Sequence, residues 1–166
     1  VLARRVLVVA AKERHVRRRL APFNKLKIKV DALQGDAVAL HNFASFEFAF
    51  DASTGETPGG DCQAPVAILD VGSDTTHIVV SQPNTVWFRT LSTASDEITK
   101  ALVRDFRLTH AQAEQVKRDP SRARRLSQLS DSFQPVFARL SDEIQRSLVA
   151  YAASRTVPPV SRLFCV

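Results

Sequence analysis

The stretch that decides the fold is ILDVGSDTTHIVV, residues 68–80. An apolar run stops at Asp70, passes Gly72 and the small polar residues Ser73, Asp74, Thr75 and Thr76, and resumes as β-branched residues. Apolar runs bounded by turn formers predict two strands joined by a tight, hydroxyl-rich turn. Two readings of that turn are open. It can be a plain polar hairpin. It can also receive a phosphate, which would meet successive backbone N–H groups and the hydroxyls of Ser73, Thr75 and Thr76, with Gly72 leaving room for close approach. Asp70, closing the first strand, would then hold Mg2+ through a water, because this ion keeps part of its hydration shell and takes other ligands from phosphate. The pattern D-x-G-x-x-x-T alone does not choose between the two.

Outward from this stretch, three strands are expected in quick succession, at Val66 to Asp70, Thr75 to Ser81 and Thr85 to Leu91. The turn QPN at 82–84 makes the last two an antiparallel hairpin. Ser95 reads as an N-cap, Asp96 and Glu97 suit the positive end of a helix, and Ile98, Leu102 and Phe106 recur on one face. Thr109 with Gln112 forms a capping box for a short helix that stops at Asp119–Pro120. A long helix follows, carrying Phe133, Phe137, Leu140, Ile144, Leu148 and Tyr151 at threes and fours, with Pro135 tolerated in its first turn. After Pro158–Pro159 comes a last strand, Val160 to Val166. Three strands, helices and another strand begin a ribonuclease-H-type α/β lobe, in which the first hairpin tip sits beside the active cleft.

Upstream, Val6 to Ala11 and Ile28 to Leu33 read as strands flanking a basic helix, and Gly35–Asp36 opens a second helix carrying Val38, Phe43 and Phe46. Residues 1–50 are therefore expected to form a small βαβ subdomain with its following helix. Residues 51–64, with three of the five glycines, read as a linker loop, and 65–166 as the main α/β lobe with a helical insertion.

With 166 residues and 45% hydrophobic content, the chain is long enough to bury its own core. The opening on Val1 and the close on RLFCV both read as cuts through a larger fold. The net charge of +6 gathers at 12–19, 25–29 and 117–125. No interleaved stacking aromatics or nucleic-acid motif accompany it, so solvated helix faces are expected rather than a nucleic-acid partner. Cys62 and Cys165 lack metal-ligand spacing, consistent with a reduced, cytosolic protein, and no apolar run reaches the ~18 residues that span a bilayer. His15, His41, His77 and His110 fall on separate elements without a ligand pattern.

The segments DVGSDTTHIVV, VWFRTL, SDEITKALVRDFRLTHAQAEQVKRDP and FQPVFARLSDEIQRSLVAY, with VLVVAAKERHV and VDALQGDAVALHNF upstream, resemble the PilM family, actin-like proteins of type IV pilus assembly related to FtsA. The likeness covers nearly the whole chain and is more specific than the phosphate pattern. It implies an actin-like ATPase fold, with the second lobe and the small subdomain represented here. It implies that Asp70, Gly72, Ser73, Asp74 and Thr75 form the second phosphate-binding loop for ATP and Mg2+. Gln34, in QGDAVAL, falls where actin-like proteins orient the attacking water; a residue capping the next helix is the alternative. The family works in the cytoplasm at the inner face of the inner membrane, where it grips the cytoplasmic tail of an inner-membrane pilus protein, and self-association is open to it.

Two departures stand out. Ala94–Ser95 replaces a Gly-Gly pair, so side chains could crowd a nucleotide. The first phosphate loop and the adenosine loop lie outside the sequence, so these residues are not expected to turn over ATP; the intact protein would be at most a slow ATPase. One rival is a nucleotide-free actin-like scaffold. Another is a ribonuclease-H-like nuclease built on Asp70, for which Asp74 and Asp96 are the nearby carboxylates. The basic run KRDPSRARR, 117–125, is the expected seat for peripheral membrane contact.

Overall fold

A computed structural model describes residues 7–53, 65–82, 85–122, 126–154 and 159–166. The quoted stretch forms β1 (Val66–Val71) and β2 (Thr76–Gln82), followed by β3 (Thr85–Leu91). β1 pairs antiparallel with β2, and β2 with β3. β4 (Arg162–Cys165) returns parallel to β1, giving the sheet order β3-β2-β1-β4. A parallel pair needs a long crossover. It is supplied by α3 (Ser95–Phe106), α4 (His110–Arg118) and α5 (Leu126–Ser154). The element order and pairing are those of the expected ribonuclease-H-type lobe.

Strand alternation divides the sheet into two faces. Ala67, Leu69, Ile78, Val80 and Leu91 pack beneath Leu140, Ile144, Leu148 and Tyr151 of α5. Trp87 lies on this face too, its ring centroid 5.5 Å from that of Tyr151 at 59°. On the opposite face, α2 (Asp36–Ser53) reaches the sheet through His41, whose Nδ1 lies 2.7 Å from Ser81 Oγ. Burial lowers the His41 pKa and so favours the neutral imidazole. A third cluster of Leu102, Ala113 and Leu129 locks α3, α4 and α5 together. The α4 capping box forms as expected: Thr109 Oγ1 accepts from the Gln112 N–H, and Gln112 Oε1 accepts from the Thr109 N–H.

Several expectations are corrected. Residues 7–12 and 28–35, read as strand-bearing, carry no ladder; they flank α1 (Glu13–Lys25) as irregular segments with Leu7, Val8, Val9, Ile28 and Leu33 exposed. The segments do approach each other, since a Cβ on Gly35 would lie 3.8 Å from Val9 Cγ1. Apolar alternation supplies half of a strand and the pairing neighbour the other half; an isolated two-stranded pair is marginal in water. α2 runs to Ser53, into the stretch read as linker, whose residues 54–64 lie outside those described. The turn at 82–84 keeps only Gln82 among the described residues. Pro135 sits well inside α5, which starts at Leu126. Ser95 is the first helical residue, and Ala94 holds the N-cap position without a side-chain cap.

Candidate functional site: the β1–β2 turn and the start of α3

Asp70 stands opposite His77 in the β1–β2 ladder and points away from the α5 face that Leu69 and Val71 occupy. Its half-buried carboxylate has no hydrogen bond or ion pair among the described residues. Beside it, the His77 imidazole lies between two hydroxyls, Nδ1 3.2 Å from Thr90 Oγ1 and Nε2 3.4 Å from Thr75 Oγ1.

The turn closes through the Gly72 N–H, which donates to Thr75 O at 3.1 Å. A Cβ at Gly72 would lie 2.7 Å from that same oxygen, so turn closure itself excludes a side chain here. Ser73, Asp74 and Thr75 are exposed at the tip. The turn's outer carbonyls are engaged: Gly72 O accepts from the Ser95 N–H at 3.0 Å and Ser73 O from the Asp96 N–H at 3.1 Å. These bonds replace the missing side-chain cap, because the first N–H groups of a helix have no partner within it. The tip of the hairpin and the start of α3 thus form one braced unit.

Thr76 departs from the set in which the sequence placed it. It is fully buried, and its hydroxyl donates to Thr93 O at 2.7 Å. Alternation explains the difference, since Thr76 pairs with Val71 and Leu91 on the α5 face. Thr93 leads onward to Glu143 of α5, a residue that no motif in the sequence marks. The Glu143 carboxylate accepts from Ser92 Oγ at 2.8 Å, and from the Thr93 N–H and hydroxyl at 3.3 Å each. Burial pushes this carboxyl up, but the Ser92 hydroxyl and the Thr93 donors together hold it below its ordinary pKa. Such a long-range clasp, between residues 50 apart in the chain, leaves no local signature.

Gln34 is exposed just ahead of α2, and its Oε1 accepts from Asn42 Nδ2 at 3.1 Å. Its described partner is thus a side chain in the second turn of α2, whereas the N–H groups of Val38 and Ala39 at the helix start donate to Gly35 O. Ala94, at the N-cap of α3, is 4% exposed.

Asp96, His110 and Glu114 converge, with ligand-type atoms within 4.8 Å of one another. These carboxylates already have cations beside them: Lys100 lies 3.3 Å from Asp96 and Lys117 bonds Glu114. Bonds from Lys117 and then Thr99 hold the Glu114 carboxyl below its ordinary pKa. Asp70 takes no part in this group, and among the described residues no carboxylates gather around it as a metal-pair nuclease would need. An apolar groove of about 580 Å3 runs between α5 and the β4 edge, lined by Ile144, Leu148, Val160 and Leu163, among others; none of the candidate residues lines it. In the basic run 117–125, Lys117 is engaged by Glu114 and Thr99, and residues 123–125 lie outside those described.

The chain matches, over residues 2–165, the family described as Type IV pilus assembly protein PilM. No curated protein matches it significantly. Among solved structures it is similar to the PilM-PilN type IV pilus biogenesis complex, with 24% identity and a TM-score of 0.64 over 90% of this chain and 40% of that one. It is also similar to ethanolamine utilization protein EutJ from Carboxydothermus hydrogenoformans, with 19% identity and a TM-score of 0.49 over 72% of this chain and 39% of that one. The chain spans about two fifths of the length of these structures. The first likeness shows the fold, and the actin-like α/β class expected from the sequence is the class of this chain. Matched along nearly its whole length, the chain belongs to the type IV pilus assembly protein PilM family.

Proposed function

We propose that this chain contributes the second phosphate-binding turn of a nucleotide site in an actin-like scaffold for type IV pilus assembly. The observation that carries the reading is the Asp70 carboxylate near the end of β1, which has no partner among the described residues and lies next to an exposed tip that α3 holds in place. In the intact protein, the Ser73 and Thr75 hydroxyls donate to phosphate oxygens, with Gly72 and Asp74 shaping the turn, and Asp70 accepts from water on Mg2+. Bound Mg2+ supplies the positive charge that lets phosphate oxygens sit near a carboxylate. Thr76 acts from beneath, bracing the turn against Thr93. Hydrolysis needs phosphate, metal and water held together. Gln34 accepts from Asn42 through Oε1, and its amide N–H groups are the ones left to orient that water; the protein reads as a nucleotide-dependent scaffold with slow turnover at most.

The solved structure that the chain resembles is a complex of PilM with PilN. We propose that the protein works in the cytoplasm at the inner face of the inner membrane and recruits an inner-membrane pilus protein through its cytoplasmic tail, a reading that this likeness supports. Among the described residues no helix is long and apolar enough to cross a membrane.

Calorimetric titration of the full-length protein with ATP and Mg2+ tests the site. Asp70→Ala is expected to weaken binding by about tenfold, the effect of losing one charge-assisted contact. Equal affinity in both proteins would remove the phosphate-turn assignment. Absence of binding by the wild type would favour the second reading, a nucleotide-free scaffold. That alternative draws on the N–H groups of Ser95 and Asp96, which the turn carbonyls already occupy.

A further inference from the structure

Positive charge on this chain is densest in one segment, although the run 117–125 carries a net +4 of its own, five Lys and Arg against Asp119. Residues 12–29 hold eight Lys and Arg against the single acid Glu13, a net of +7, whereas the whole chain carries +6. All other residues together therefore sum to −1. The centre of this segment is α1, which buries none of its residues. Helices of globular proteins normally bury an apolar stripe. On α1 the stripe is present, with Val16 and Leu20 half-buried and Phe23 44% exposed, and it continues into Leu26 and Ile28, 69% and 49% exposed. Internal ion pairing does little to quench the charge: Arg17 with Glu13 and Lys29 with Asp31 are surface pairs more than 70% exposed.

We infer that α1 and the segment to Lys29 form a docking surface for an anionic lipid bilayer. The inference rests on this charge pattern and not on the phosphate-turn reading. Clustered Lys and Arg are drawn to anionic headgroups, and Phe, Leu and Ile among them gain from entering the headgroup boundary. A nucleic-acid backbone would reward the cations alone, leaving Phe23, Leu26 and Ile28 in water. The contact is peripheral, because α1 has 13 residues and is rich in charge. It also moves the membrane seat from the run at 117–125, where Lys117 is already engaged, to the opposite end of the sequence.

The test is co-sedimentation of the full-length protein, without nucleotide, with vesicles of phosphatidylcholine alone or mixed with phosphatidylglycerol. Binding is expected only to the anionic vesicles and is expected to fall with added salt. The double change Arg18→Glu and Arg19→Glu, at exposed positions, is expected to weaken it by about tenfold or more. Phe23→Ser with Leu26→Ser is expected to weaken it as well. Circular dichroism checks that each variant is folded; Lys12→Glu with Lys25→Glu, at the helix ends, makes the same charge change should the arginine pair disturb the helix. Equal binding to both vesicle types, or unchanged binding after charge reversal, overturns the inference. So does tighter binding to duplex DNA than to vesicles with no effect of the Phe23 and Leu26 changes, which would mark a nucleic-acid surface instead. Because nucleotide is left out, these failures are separate from failure of the Asp70 assignment.

Discussion

Thr76→Val separates a brace from a ligand. The sequence places the Thr76 hydroxyl among those facing a phosphate, whereas the structure buries it and directs it at Thr93 O, 2.7 Å away. Valine fills almost the same space but cannot donate. The Thr93 carbonyl would lose this donor in a part of the protein where Thr93 is only 4% exposed. Such a loss costs about 1–3 kcal/mol, and the added methyl group returns somewhat less than 1 kcal/mol through apolar burial. A net destabilisation of about 1–2 kcal/mol is expected, or about 2–8 °C in the midpoint of thermal unfolding for a chain of this size. Urea unfolding with an unchanged m-value would report it, and Thr76→Ser, which keeps the donor, should recover most of the loss. ATP affinity of the full-length protein should change far less than in Asp70→Ala. Wild-type stability combined with abolished nucleotide binding would refute the reasoning, since it would turn the hydroxyl towards a ligand.

Gly72→Ala would set a Cβ 2.7 Å from Thr75 O, so the turn must open; about 1–3 kcal/mol of stability should be lost, and an unaltered melting temperature would contradict the closure role. Glu143→Gln keeps one acceptor but loses the charge that Ser92 and Thr93 solvate, at a cost of about 1 kcal/mol near neutral pH. Because the native Glu143 pKa lies below the ordinary 4.5, its stabilisation is complete above that value and is lost as pH falls through the depressed native one, so wild type and variant should converge in acid unfolding curves. Leu102→Ala, at 0% exposure in the cluster joining α3, α4 and α5, should cost about 2–5 kcal/mol. Phe137→Ala, at 50% exposure on α5, should cost clearly less in the same denaturation assay.

Local signals were legible where local chemistry decides. The three consecutive strands, the Thr109–Gln112 capping box and the stop at Asp119–Pro120 all stand where the residues place them. Misreadings arose where a distant partner decides. Ser95 has the chemistry of an N-cap, yet Gly72 O and Ser73 O, more than twenty residues upstream, satisfy the first N–H groups of α3, so no side-chain cap is required. The alternation at 28–33 suits a strand, yet no neighbour pairs with it among the described residues. Pro135 looks like a helix start, yet α5 runs through it because Leu129, Ser132 and Val136 on either side are buried.

At the candidate site the same division holds. An aspartate closing a strand before a small-residue turn is readable from residue types and spacing, because strand periodicity and turn chemistry act over a few bonds. Which members of that turn face water, and which are spent on the protein's own framework, is not. Thr75 and Thr76 are adjacent and chemically identical, but one stands exposed and the other is locked to Thr93. Folding separates them by laying α5 over the sheet face that carries Thr76 and by setting Thr93, just past β3, within reach of its hydroxyl, while Thr75 stays at the exposed tip; that packing depends on contacts between residues far apart along the chain.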